Sequence, residues 1–126
     1  QFEHELSGMY PKIAHGAGLA ALWCSWARYV YKANISRWLQ YSANVWNLDI
    51  DYEHPEKTIE EAINLQEQYY VSLGMPIGLK ALGVEEASLT KLALNCSRNK
   101  TRTLTGYKPL AYDDILAIYQ MAYERG

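Results

Sequence analysis

Two of the chain's three histidines, His4 and His15, flank a short loop that contains Gly8 and Pro11. His15 stands directly before Gly16-Ala17-Gly18, where a long apolar run begins. Imidazole is the commonest side-chain metal ligand and the usual acid–base group near neutral pH. The pair therefore points to metal binding or to proton transfer. Gly16 and Gly18 carry no side-chain bulk, so a ligand or cofactor could approach the backbone closely there. Two imidazoles do not close a metal site, which takes three or four protein ligands. Glu3 and Glu5 could add carboxylates, but near neighbours on a helix point in different directions. The competing reading of His15 is a helix-terminal histidine that bonds a nearby carbonyl, and spacing alone leaves both open. His54, beside Pro55 in a polar stretch, reads as an exposed loop residue.

Other candidates are weaker. Eleven Tyr and four Trp stand against one Phe. Such residues bury large areas while keeping a polar handle, so they read as core and interface packing. A stacking platform for single-stranded nucleic acid would need a basic groove, and the net charge is -2. The cluster Arg98-Asn99-Lys100-Thr101-Arg102-Thr103 could meet a phosphate but reads as a solvated loop. Gly16-x-Gly18 lacks a third glycine and a preceding strand, so it makes no dinucleotide fingerprint. Cys24 and Cys96 lie in apolar helical patterns and read as reduced core thiols of an intracellular, cytoplasmic protein. The Asn-x-Ser/Thr triplets at Asn34, Asn95 and Asn99 read as chance.

The elements that must carry these groups are helical. A chain of 126 residues, 49% hydrophobic and 21% charged, allows one domain with a real core. No apolar run approaches the ~18 residues of a membrane span. Residues 1–7 read as the last turn of a helix, and Gly8 to Ala14 as a loop. A long helix follows from His15 or Gly16 to about Ala33, with Leu19, Leu22, Trp23, Trp26 and Val30 at helical spacing. Its polar stripe of Ser25, Arg28 and Lys32 is narrow, which predicts burial among other helices. A helix over about 35–47 turns Ile35, Trp38, Leu39, Val45 and Trp46 to the core. Pro55 suits the first turn of the next helix, although Thr58 and Glu61 would fit a capping box one turn later. That helix carries Ile59, Ala62, Ile63, Tyr69, Tyr70 and Leu73 and stops at Gly74. Leu89, Leu92, Ala93 and Cys96 mark another. Arg98 to Pro109 is a loop, and a last helix starts near Tyr112, with Asp113 and Asp114 at the favourable end of its dipole. The absence of period-two alternation makes the chain all-α, a bundle of about five to six helices.

His4-Glu5-Leu6-Ser7-Gly8-Met9-Tyr10, followed by Ala14-His15-Gly16-Ala17-Gly18-Leu19-Ala20, resembles the second signature of the iron-containing alcohol dehydrogenases, in its butanol-dehydrogenase-like branch. Trp26-Ala27-Arg28-Tyr29-Val30-Tyr31, Val45-Trp46-Asn47 and Leu73-Gly74-Met75-Pro76 resemble that branch too. The resemblance covers essentially the whole chain. It implies that residues 1–126 are the C-terminal all-helical domain of a dehydroquinate-synthase-like fold. A nucleotide-binding domain would precede it. The family's metal is held by one Asp and three His. By position His15 matches the last of those ligands. His4 matches a histidine that does not ligate but lies near nicotinamide and substrate, with a proton-relay or positioning role. The remaining ligands would lie before Gln1, and no cofactor-binding residue is identified here. His4 and His15 stand one position further apart than in most members, through an extra residue near Pro11-Lys12.

The implied activity is that of an NAD(P)-dependent alcohol dehydrogenase or aldehyde reductase. Its cofactors would be Fe2+ or Zn2+ and NAD(P)H, its substrate a small alcohol or aldehyde. Its partners would be its own N-terminal domain and further copies of itself, with no nucleic acid and no membrane. By itself the chain is expected to be inactive, to hold well under one specific ion per molecule, and to self-associate through an exposed apolar face. A glycerol dehydrogenase or dehydroquinate synthase relative would share the helical domain. A non-enzymatic interaction module rich in Tyr and Trp is the remaining alternative.

Overall fold

The computed structural model describes residues 1–125. Six α-helices form: α1 Phe2–Met9, α2 His15–Val30, α3 Ile35–Trp46, α4 Pro55–Ser72, α5 Leu89–Cys96 and α6 Tyr112–Glu124. Short 3-10 turns cover Tyr31–Asn34, Lys80–Leu82 and Glu86–Ser88. Among the described residues there is no strand, and one isolated antiparallel bridge joins Leu104 to Leu110. No helix is long and apolar enough to cross a membrane.

Helix α2 is the centre of the bundle. Its small and apolar residues Ala20, Ala21, Leu22, Cys24, Ala27 and Val30 are buried, and it packs on α1, α4 and α6. The expected narrow polar stripe is narrower still, because Ser25 is also buried. Arg28 is spent on an internal ion pair, its Nη1 donating to Glu67 Oε2 at 2.9 Å. The long helix ends earlier than the spacing predicts, passing into the 3-10 turn at Tyr31. There the Asn34 side chain accepts from the Arg37 N–H and starts α3.

Helix α4 starts at Pro55, not a turn later. Thr58 does not cap it: its hydroxyl is buried and accepts the Asp51 N–H at 3.0 Å, tying down the preceding loop. Val45, Tyr69 and Leu73, expected to face inward, are at least half exposed. Leu89, Leu92, Ala93 and Cys96 of α5 do pack inward, against Ile115, Ile118, Tyr119 and Ala122 of α6. Cys24 and Cys96 are free buried thiols, and burial together with the Glu67 charge pushes the Cys24 thiol up to about 11.

Helix α1 is short, so tertiary contacts must hold it. The Tyr119 hydroxyl donates to the Phe2 carbonyl at 2.8 Å, and the two rings lie 5.1 Å apart. Tyr10 bonds Ser88 Oγ at 2.8 Å and accepts the Glu85 N–H at 3.2 Å. Leu6 is fully buried. The helix runs two residues past the predicted stop, through Gly8 to Met9. These anchors place the first turn of α1 against the start of α2.

Candidate metal centre

The loop of residues 10–14 turns the chain back so that α1 and α2 meet at their first turns. His15 opens α2, and Ala14, in extended conformation, is its N-cap. The His15 side chain is 67% exposed, whereas that of Glu3 is 4% exposed. Glu3 Oε2 lies 2.6 Å from His15 Nδ1. With the carboxylate accepting, the Nδ1–H donates, so Nε2 is the ring nitrogen left for another partner. No hydrogen bond reaches Nε2 from the described residues. The other oxygen, Glu3 Oε1, accepts a short bond from the Ser7 hydroxyl one turn along α1.

Gly18 makes room for this carboxylate. A Cβ on Gly18 would stand 2.8 Å from Glu3 Oε1, closer than van der Waals contact allows. A Cβ on Gly16 would meet only the Met75 Cε at 3.7 Å. The space that the glycines were expected to offer a ligand is therefore filled, at Gly18, by Glu3.

Glu3 is the residue that sequence reasoning undervalued. Its spacing from Glu5 showed that the two point apart, but not which of them turns to His15. The legible signal is the i to i+4 pair Glu3 and Ser7 on one face of α1, with a glycine one turn into α2. His4 is exposed on α1 and makes no hydrogen bond with the described residues. The structure thus joins His15 to the neighbour of His4 rather than to His4 itself. His54 is exposed at the start of α4, 3.4 Å from Asp51. Arg102 is drawn inward, both guanidinium contacts ending on the Cys96 carbonyl, and Lys100 sits over the Tyr112 ring.

Beside Glu3 a groove of about 380 Å³ opens along α2, walled by Phe2, Leu19, Leu22, Trp23, Trp26 and Leu110. Its wall is mostly apolar and partly aromatic, with Gln1, Glu3 and Thr105 as polar members. Among the described residues no three metal-ligating side chains come together. The donor present is the Nε2 of one exposed imidazole whose Nδ1 is engaged by a buried acid. That chemistry fits a borderline divalent cation shared with ligands from elsewhere.

An all-helical bundle that presents an oriented imidazole beside an apolar groove defines a domain able to form one wall of a metal site. The match with known proteins is specific: this chain belongs to the Fe-containing alcohol dehydrogenase family, whose C-terminal domain it matches over residues 1–123. It is 34% identical over 122 residues to the NADH-dependent butanol dehydrogenase A of Clostridium acetobutylicum, covering 96% of this chain and 31% of that protein. A probable NADH-dependent butanol dehydrogenase 2 of Bacillus subtilis is 29% identical over 117 residues, covering 92% and 30%. The crystal structure of the NADH-dependent butanol dehydrogenase A of Thermotoga maritima superimposes with a TM-score of 0.85 at 27% identity, over 97% of this chain and 31% of that one. The E. coli aldehyde reductase YqhD has the same fold, with a TM-score of 0.83 at 24% identity over 96% and 31%. The chain spans about a third of the length of these relatives.

Proposed function

We propose that this chain is the C-terminal helical part of a metal-dependent, NADH-linked alcohol dehydrogenase acting on short-chain alcohols and aldehydes. In that reading His15 is one metal ligand, His4 lines the catalytic cleft, and a nucleotide-binding domain precedes Gln1. The observation that supports it is the exposed imidazole of His15, with Nδ1 bonded to Glu3 and Nε2 left for another partner, at the position the resemblance matches to the last metal ligand. The curated relatives named as NADH-dependent butanol dehydrogenases favour NADH and a short aliphatic substrate. They favour this reading over a glycerol dehydrogenase or a dehydroquinate synthase.

When bound, the divalent cation supplies Lewis acidity at the substrate oxygen, and the nicotinamide carries the hydride. His15 offers its Nε2 lone pair as a donor. The groove of Leu19, Trp23 and Trp26 offers an apolar wall for an aliphatic chain. His4, exposed on the same turn of α1 as Glu3, is free to pass a proton between the substrate hydroxyl and solvent.

The test uses the full-length protein and follows aldehyde-dependent NADH oxidation. His15→Ala is expected to lose the metal and the activity together. His4→Ala is expected to keep the metal and lower kcat by about 10²- to 10⁴-fold, the usual worth of a positioned acid–base group. Full activity of His15→Ala, or no activity of the wild type across short-chain aldehydes, refutes the reading.

A further inference from the structure

The two buried carboxylates of this bundle are treated differently. Glu67 is held by two arginines: Arg28 at 2.9 Å and Arg125, whose Nε lies 3.0 Å away. Glu3 is at least as deeply buried, at 4% against 8% exposure, yet no lysine or arginine of the described residues pairs with it. Its partners are a hydroxyl and an imidazole. A buried carboxylate without a compensating charge is costly. Ser7 and Gly18 are nevertheless arranged to keep Glu3 in place. With Oε1 on Ser7 and Oε2 on His15, Glu3 has no oxygen aimed at solvent to serve as a ligand itself.

We propose that Glu3 is the positioning residue of the metal-binding imidazole: its buried carboxylate, braced by Ser7 and admitted by Gly18, fixes the tautomer and plane of His15 and raises the donor strength of Nε2. The inference rests on His15 being a ligand. A carboxylate behind a ligating histidine orients the ring and makes it a better donor, and its loss weakens metal binding about 10- to 100-fold. Glutamine retains an oxygen acceptor for Nδ1–H and a group for Ser7 but removes the charge. Leucine fills the same volume and offers neither.

The experiment measures Zn2+ affinity of the full-length protein by chelator competition, and the visible absorption of its Co2+ form, in wild type, Glu3→Leu, Glu3→Gln and His15→Ala. Glu3→Leu is expected to bind Zn2+ about 10- to 100-fold more weakly and to shift the Co2+ bands. Glu3→Gln is expected to recover most of that loss, staying about three- to tenfold below wild type. His15→Ala is expected to lose high-affinity binding. If His15→Ala binds Zn2+ like wild type, the ligand assignment fails and the inference falls with it. If His15→Ala loses the metal while Glu3→Leu stays within about twofold of wild type, only the role of Glu3 is overturned. Should Glu3→Leu fail to fold, Glu3→Gln decides: wild-type affinity with unshifted Co2+ bands overturns the role.

Discussion

At the scale of single residues, the bundle holds two buried acids with opposite tasks. Glu67 ties α4 to Arg28 of α2 and to Arg125 after α6. Burial alone would raise its carboxyl, but the bonds and charges of Arg125 and Arg28 outweigh burial and hold it below its ordinary 4.5. A carboxyl lowered by folding stabilises the fold above its unfolded value, and that contribution is lost as pH falls through the folded one. Glu67→Gln is therefore expected to cost about 1–3 kcal/mol at pH 7, Arg125 counting for less because it is partly exposed. The difference from wild type should shrink as pH falls below 4.5, as urea melts at the two pH values would show. A difference independent of pH would contradict the ion-pair account. Residue types alone made His15 and His4 legible as candidates, through their spacing and the glycines after His15. Glu3 was legible only in part, through its i to i+4 spacing from Ser7; that its carboxylate meets His15 depends on how α1 packs against α2, which tertiary contacts set.

At the scale of elements, the helices were legible wherever one apolar face repeats every three to four residues, as in α5 and α6. Ends were less so. Thr58 and Glu61 mimic a capping box, but Thr58 is pulled to Asp51 and the helix starts at Pro55. Val45 and Leu73 keep helical spacing yet face outward. Periodicity identifies an apolar face, not whether a neighbour covers it. Asp114 shows a cap that also joins two elements. It accepts the Ala111 N–H at 3.0 Å and a short bond from the Tyr29 hydroxyl on α2. The Asp114 bond, with some desolvation, pushes the Tyr29 phenol up to about 12. Asp114→Ala is expected to cost about 1–2 kcal/mol through the lost cap and to return Tyr29 toward its ordinary 10. NMR titration of the Tyr29 ring carbon checks the second effect, and an unmoved midpoint would contradict it.

At the scale of the whole molecule, the exposed apolar side chains fall into groups. Leu19 lines the groove beside Glu3, and Tyr69, Val71 and Leu73 are exposed near the end of α4. Large contiguous apolar surface on a domain marks where another protein surface belongs. The 126-residue chain in isolation is expected to self-associate, seen as a mass by light scattering that rises with concentration. A constant monomer mass would argue that these surfaces need no cover. The most direct test of the central claim is elemental analysis of the full-length protein beside its His15→Ala variant. The account predicts about one divalent ion per chain in the wild type and far less in the variant. Equal metal content in both would contradict it.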